Sequence, residues 1–236
     1  MQIDLLKILD KNYVQKYTVS DASYISTTIC NQYSKSVLIR RYWDANQELA
    51  YILGLWAGDK YVYGNRIGLC NIEHELLEAF AGFLRKVAKP ANIRYVIEKS
   101  VKTKVYINSA MLRRTMEALE KEIPNLINAN LLSAYFAGRI DADGCIMPSN
   151  LRHNSGLAKI TYGSLLEAEK DAVILRNLGH HCCITRYKGR NAFNLKLSVL
   201  SCIRIFPELL DYSRHREKRG KIKDCIVAAG TIKLVP

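Results

Sequence analysis

Two stretches of the chain repeat one order of hydrophobic and polar patterns. Residues 49–58 and 132–142 are almost entirely apolar and carry small residues four positions apart, which is typical of helices that pack closely. Two alternating segments that predict strands follow each stretch, then a helical pattern, two more alternating segments and a further helix. Each copy therefore predicts the order α-β-β-α-β-β-α.

This repeat divides the chain into three predicted parts. An N-terminal extension covers residues 1–45, a first half covers 46–129 and a second half covers 130–236. Residues 3–17 predict a helix, and Asp44, three positions before Gln47, predicts a capping box for the first apolar helix. Gly64-Asn65 predicts the turn of a hairpin in the first half. The fold class expected is α+β, with two pseudo-symmetric halves.

An aspartate ends each apolar helix, Asp59 in the first half and Asp143 in the second, 84 positions later. The C-terminal end of a helix carries partial negative charge, so a carboxylate there is destabilised unless a cation is close. Small residues on the two helix faces would allow a close crossing that brings both aspartates together: Gly54, Gly58, Gly138 and Ala142. Two crowded carboxylates favour a hard divalent cation such as Mg²⁺, which also leaves room for a substrate phosphate.

The charge balance indicates a polyanionic partner. The chain has 236 residues, 49% of them hydrophobic, and a formal net charge of +13, which is typical of nucleic-acid binding. The N-terminus does not resemble a signal peptide, and no apolar run approaches the roughly 20 residues that span a bilayer. We therefore expect a cytoplasmic, nucleoid-associated protein with no membrane partner.

The seven cysteines are odd in number and have no CxxC spacing, which favours free thiols in a reducing compartment. The run His180-His181-Cys182-Cys183 could suggest zinc. Because neighbours on a strand point to opposite faces, at most two of these four side chains could reach one ion. A zinc site is therefore disfavoured.

The predicted strands present basic faces. On residues 102–108, Lys102, Lys104, Tyr106 and Asn108 share one face, while Val105 and Ile107 share the other. A merely solvated face would mix charge signs more evenly, so contact with the major groove or with phosphates is favoured. The candidate DNA-contacting residues are Tyr61, Tyr63, Arg66, Arg94, Lys102, Lys104, Asn108, Arg152, Arg186, Lys188, Arg190, Asn194 and Lys196.

The second aspartate lies in a recognisable motif. "FAGRIDADG" (136–144) matches the LAGLIDADG nonapeptide at seven of nine positions, and "ILGLWAGDK" (52–60) looks like a diverged copy. The chain resembles the single-chain, double-motif LAGLIDADG homing endonucleases, particularly archaeal intron-encoded members. The resemblance implies a saddle of two four-stranded antiparallel sheets in the DNA major groove. It also implies metal-dependent cleavage across the minor groove, leaving short 3′ overhangs at a long site.

The resemblance also implies roles for particular residues. Asp59 and Asp143 would be metal ligands, joined by the carbonyls of Gly58 and Ala142, whereas Asp141 would be structural. The second-strand positions where family members often carry Lys or Gln hold Cys70-Asn71 and Tyr162-Gly163 here. Basic assistance would then come from elsewhere, and the candidates are Lys60, which replaces the motif's final Gly, and Lys218 and Lys221 in a basic run.

The expected function is site-specific double-strand cleavage of DNA by a monomer that uses Mg²⁺, with Mn²⁺ able to substitute. Two alternatives share the fold: a maturase that binds its host intron RNA, and a cleavage-inactive DNA-binding regulator. Both aspartates are present, which favours cleavage. The N-terminal extension either packs against the first half or extends the DNA contacts.

Overall fold

The computed structural model describes residues 1–27, 37–98, 102–148, 157–187 and 189–231. In the N-terminal extension, short strands and helices alternate: β1 (Gln2–Asp4), α1 (Leu5–Ile8), α2 (Lys11–Tyr17), β2 (Thr18–Ser20), β3 (Tyr24–Thr27), β4 (Leu38–Arg40) and β5 (Tyr42–Asp44). The single helix predicted over residues 3–17 is therefore two short helices preceded by a strand. Asp4 and Asp10 cap these helices, each accepting a backbone N–H from the first turn.

The first half begins with an apolar helix and continues in the predicted order, except for one unpredicted two-residue strand after its second helix. Its elements are α3 (Gln47–Asp59), β6 (Lys60–Tyr63), β7 (Arg66–Asn71), α4 (His74–Val87), β8 (Ala88–Lys89), β9 (Arg94–Glu98), β10 (Lys102–Asn108) and α5 (Ala110–Leu126). Gly64 has φ +56° in the two-residue turn between β6 and β7, a conformation that favours glycine, and the hairpin prediction is confirmed.

The second half repeats that order without a counterpart of β8 and with a further helix at its end. Its elements are α6 (Ala129–Asp143), β11 (Gly144–Ile146), β12 (Ala158–Tyr162), α7 (Leu165–Asn177), β13 (Cys182–Arg186), β14 (Phe193–Leu197), α8 (Val199–Tyr212) and α9 (Arg216–Thr231). The sheets are ordered β6-β7-β10-β9 and β11-β12-β14-β13, and every pairing in them is antiparallel. The α+β class and the two four-stranded antiparallel sheets are confirmed.

Strand alternation separates a buried from an exposed sheet face. Val105 and Ile107 on β10 are buried, as are Leu195 and Leu197 on β14, and helices α4 and α7 pack against these strands. Burial of these aliphatic side chains drives the docking of helix on sheet. The opposite faces, which carry the basic residues, are left uncovered by these helices.

The N-terminal extension packs against the first half. Strand β4 pairs with β8, so a third four-stranded sheet, β2-β3-β4-β8, joins the extension to the end of α4. Trp43 meets Phe83 of α4 edge to face at 5.2 Å, and Ile25 and Ile39 are fully buried. Within the described ranges, no helix combines the length and apolar character needed to cross a membrane.

The residue that caps α3 differs from the prediction. Asn46 is the N-cap, and its side chain accepts a hydrogen bond from the backbone N–H of Leu49 at 3.0 Å. Asp44 instead belongs to β5 and pairs with Gln2 of β1. The capping-box prediction at Asp44 was therefore wrong, because strand pairing extends the chain up to that residue.

Candidate active site

Helices α3 and α6 cross with their backbones in direct contact. A Cβ atom placed on Gly54 would lie 2.0 Å from the carbonyl oxygen of Tyr135, and one on Gly138 would lie 2.1 Å from that of Tyr51. No side chain fits at either position, because real carbon–oxygen contacts are more than about 1 Å longer. The small-residue faces are therefore the contact surface between the two halves.

The same crossing brings the aspartate-bearing helix ends together. A Cβ on Gly58 would lie 2.4 Å from the Cβ of Ala142 and 3.0 Å from a carboxylate oxygen of Asp143. Asp59 is the next residue along α3, so the two aspartates end adjacent helices at one place.

Both carboxylates are electrostatically strained. Burial, followed by the charge of Asp59, raises the pKa of the Asp143 carboxyl to about 6, against the opposing charges of Arg139 and Lys218. Burial also raises the pKa of Asp59, while a hydrogen bond from Asn71 and the charges of Lys218, Lys102 and Arg139 lower it. A bound divalent cation would relieve this strain.

Asn71 is a site residue to which the sequence assigned no role. Its side-chain N–H donates to a carboxylate oxygen of Asp59 at 2.6 Å, and its own oxygen accepts the backbone N–H of Glu73 at 2.7 Å. The amide is thus held in one orientation against Asp59. Its place at the end of the second strand was the available signal, and an amide could have been read there as a substitute for Gln.

The equivalent position of the second half holds no amide. Lys60, directly after Asp59, pairs with Leu69, and Gly144, directly after Asp143, pairs with Ile160. In this alignment of the two sheets, Tyr162 is equivalent to Asn71 and Ala192 is equivalent to Lys102. The Tyr162 hydroxyl donates to Asp171 at 2.6 Å rather than to Asp143. The two carboxylates therefore have different surroundings.

A buried ion pair occupies the second half instead. Arg139 of α6 donates from Nε to Asp171 of α7 at 3.0 Å, and both residues are only 3% exposed. The Tyr135 hydroxyl donates to the other Asp171 oxygen at 2.8 Å, and the guanidinium lies 4.5 Å from the centre of the Tyr162 ring. The charges are thus paired and hydrogen-bonded, as burial requires.

Lys218 of α9 reaches the end of α6. Its ammonium donates to the carbonyl oxygens of Ile140, Asp141 and Ala142 at 2.8, 2.8 and 3.3 Å. These are carbonyls of the last helical turn, and a cation there offsets the negative end of the helix dipole. Burial lowers the pKa of Lys218, against the attraction of the three nearby aspartates.

Asp141 joins α6 to the start of α9. Its fully buried carboxylate accepts the Tyr51 hydroxyl at 2.9 Å, the Ser213 hydroxyl at 2.6 Å, and the backbone N–H groups of Arg214 and His215 at 2.6 and 3.3 Å. Those N–H groups directly precede α9, so Asp141 acts as an N-terminal cap supplied by another helix. The carboxylate lies in the protein interior and contacts structural partners.

Comparison with known proteins agrees with this geometry. Residues 46–123 match the family described as "LAGLIDADG-like domain". The chain contains a LAGLIDADG-like domain. The match falls on the first half, whose motif is the more diverged of the two, and it includes Asp59 and Asn71. No curated protein sequence matches the chain significantly.

Solved structures share the LAGLIDADG fold with the chain at low sequence identity. I-DmoI in complex with DNA and Mn is 18% identical with a TM-score of 0.55, and the alignment covers 73% of this chain and 99% of that one. Full-length DUF199/WhiA from Thermatoga maritima is 14% identical with a TM-score of 0.54, over 82% of this chain and 63% of that one. The resemblance to the double-motif type is confirmed at the level of the fold.

Two basic residues suggested by the LAGLIDADG comparison are held in ion pairs. Lys60, in place of the motif's final glycine, pairs with Glu120 at 2.8 Å and lies 5.6 Å from the Trp56 ring centre. Lys221 pairs with Glu217 at 2.5 Å on the surface of α9. Of the three predicted basic helpers, Lys218 is the one whose ammonium contacts the end of α6, the helix that carries Asp143.

Ten of the thirteen candidate DNA-contacting residues lie on strands of the two sheets. Lys104 lies 4.5 Å from the Tyr61 ring centre, and Arg66 lies 5.6 Å from that of Tyr63. Asn194 is buried and accepts a hydrogen bond from Thr161. Arg152 and Lys188 lie outside the described residues. Arg94, Lys102, Asn108, Arg186 and Lys196 are exposed or half-buried on strands, and Arg190 is exposed outside them. Arg186 pairs with Phe193 and so shares the face of Leu195 and Leu197, which makes its predicted place on the DNA face wrong.

The donor set where α3 and α6 end fits a hard divalent cation. Asp59 and Asp143 offer carboxylate oxygens, and the Gly58 carbonyl precedes Asp59, whereas the Ala142 carbonyl already accepts the Lys218 ammonium at 3.3 Å. Among the residues that the structure describes, no cluster of three or more His, Cys, Asp or Glu forms a metal-binding group. Mg²⁺ is commonly held by one or two carboxylates together with water and substrate phosphate.

Proposed function

We propose that the protein is a site-specific DNA endonuclease of the homing type, which breaks both strands with divalent metal ions held between Asp59 and Asp143. One observation carries the proposal. The motif helices cross without side chains at Gly54 and Gly138, and Gly58 lies against the Asp143 carboxylate, so the two acids lie at adjacent helix ends. A protein of net charge +13 that keeps two strained carboxylates at one point is suited to metal-assisted chemistry on nucleic acid.

In this mechanism the chain's own residues hold and orient. Asp59 and Asp143 supply the ligand oxygens, Asn71 fixes the orientation of Asp59, and Lys218 fixes the helix end that carries Asp143. The chemistry that a bound divalent ion adds is activation of a water and stabilisation of the leaving oxygen. Mg²⁺ is the expected ion, with Mn²⁺ able to replace it.

The two sheets supply the proposed DNA surface. Their helix-free faces carry Lys102, Lys104 and Arg66 in the first half, and Lys196 in the second. Arginine and lysine on a strand can reach phosphates and the acceptor edges of guanine in the major groove. Because both halves belong to one chain, a monomer would present two sheets and one pair of acids to a single duplex.

The experiment starts with the target, because the site sequence does not follow from the fold. A randomised duplex library is selected for binding to the purified protein in Ca²⁺, and the enriched sequence is cloned into a supercoiled plasmid. Plasmid with and without that sequence is then incubated with protein and Mg²⁺. We expect linear product only from the plasmid that carries the site, and none when EDTA is added.

Three aspartate variants make the test specific. Asp59→Asn and Asp143→Asn should abolish linear product while binding is retained, whereas Asp224→Asn, on the exposed face of α9, should cut like the wild type. Wild-type binding with no cleavage in Mg²⁺ or Mn²⁺ would contradict the proposal and favour the DNA-binding regulator. Tight binding of intron RNA with no selected DNA would favour the maturase.

A further inference from the structure

One residue of the second motif breaks the family pattern in the middle of the buried helix. Arg139 takes the fourth position of "FAGRIDADG", where the LAGLIDADG motif has leucine. The equivalent residue of α3 is Leu55, which follows Gly54 as Arg139 follows Gly138, and it is fully buried. The second motif helix therefore carries a charged side chain at the position where the first motif helix carries a buried leucine.

Stability alone does not account for this exchange. A buried ion pair generally gives no more stability than well-packed apolar residues of similar volume. Here the guanidinium of Arg139 contacts Asp171 and the Tyr162 ring, and the hydroxyls of Tyr135 and Tyr162 donate to Asp171. Four side chains from α6, α7 and β12 therefore form one buried cluster. Such an arrangement indicates that the positive charge of Arg139 has a role besides stability.

The position of Arg139 relates its charge to the two aspartates of the candidate site. Arg139 lies one helical turn before Asp143 and thus on the same face of α6. Its backbone N–H group abuts Gly54, one turn before Gly58, which in turn abuts the Asp143 carboxylate. The guanidinium is therefore fixed one turn below the paired aspartates, and its charge acts on both of them.

We propose that Arg139 is the fixed counter-cation of the shared aspartate pair, held in place by Asp171, Tyr135 and Tyr162. It allows two adjacent carboxylates to remain folded against each other in the metal-free protein, and it limits how tightly the pair holds a divalent ion. This inference rests on the proposed metal site, but it concerns the charge of the pair and not the cutting of DNA.

The first test is a double-mutant cycle on thermal unfolding in EDTA at neutral pH. Arg139→Gln is compared in the wild-type background and in Asp143→Asn. If Arg139 offsets the carboxylate charge, the fall in Tm should be smaller by about 3 °C or more when Asp143 is neutral. Arg113→Gln, which breaks the half-exposed pair with Glu117, is the matched control and should show no such coupling.

The second test is calorimetric titration of the protein alone with Mn²⁺. Loss of a positive charge one helical turn from the aspartate pair should tighten Mn²⁺ binding by roughly tenfold or more in Arg139→Gln, while Arg139→Lys should stay near the wild type. If Arg139→Gln does not fold, Arg139→Leu with Asp171→Asn removes both charges of the buried pair and serves as the second variant.

The outcomes separate this inference from the proposed function. Equal Tm losses in both backgrounds, or Mn²⁺ affinity that is unchanged or weaker, would overturn the role of Arg139 and leave only a structural pair with Asp171. Neither measurement requires cleavage. If the variants show the coupling and the tighter Mn²⁺ binding but the wild type cuts no DNA, the proposed nuclease activity is refuted and the role of Arg139 as counter-cation is retained.

Discussion

Replacing Gly138 by alanine tests the helix crossing that forms the site. The added Cβ would lie 2.1 Å from the carbonyl oxygen of Tyr51 and 2.6 Å from the backbone nitrogen of Leu55. Because both atoms belong to the backbone of α3, relief requires the helices to separate by about 1 Å. Overpacking of this kind costs about 1–3 kcal/mol, more where backbone must move, and alanine returns up to about 1 kcal/mol of helix propensity.

We expect a net loss of about 2–3 kcal/mol, which corresponds to a fall in Tm of roughly 4–12 °C for a domain of this size. Circular dichroism melts with a urea titration would measure it. Gly82→Ala on α4 is the matched control, since its Cβ would meet nothing within 4 Å, and it should stabilise the protein by about 0.5–1 kcal/mol. If Gly138→Ala is as stable as the wild type, the backbone crossing of α3 and α6 is refuted.

Further predictions concern α9 and the sheet face. Asp141→Asn weakens the cap on the N–H groups before α9 and should cost about 2–4 kcal/mol in urea melts, while Asp224→Asn should change nothing measurable. Lys218→Met removes a donor from three carbonyls of α6, of which that of Ile140 keeps the Gly144 N–H, and should cost about 1–3 kcal/mol, with slower cleavage of the selected site; unchanged stability would contradict the contact. Lys104→Ala should lower the salt dependence of DNA binding by about one counterion, and Lys86→Ala, in an ion pair with Glu48, should leave it unaltered.

The order of elements was predictable because it depends on local patterns. Alternation and helical spacing each extend over a few residues, and both halves carry them in the same sequence. The turn at Gly64 followed from its residue types. The close approach of the motif helices also followed locally, because Gly54 and Gly138 each lie at the centre of an apolar helix.

The supports of the site were harder to predict because they come from distant parts of the chain. Lys218 meets carbonyls 76 to 78 positions earlier in the sequence, and Asp141 caps a helix that begins 75 positions later. Lys60, Lys218 and Lys221 were all candidates from the sequence, because a lysine's charge alone does not reveal whether it pairs with a carboxylate outside the site. In the structure Glu120 and Glu217 pair with those two lysines.

Strand register decided other details that residue type did not. Asn194 has the parity of a groove-facing residue, yet the pairing of β12 with β14 sets it opposite Thr161, which donates to its side chain. Asn71 becomes a partner of Asp59 only because β7 ends beside α3. Arg139 received no role from the sequence, because its partner Asp171 lies on another helix.

The most direct test of the shared site is the anomalous signal of Mn²⁺ in crystals of the protein bound to its selected duplex. We expect peaks within about 2.0–2.3 Å of carboxylate oxygens of both Asp59 and Asp143, with a phosphate oxygen of the DNA as a further ligand. Manganese bound by only one of the two aspartates, or bound elsewhere on the protein while DNA is cut, would contradict the shared metal site.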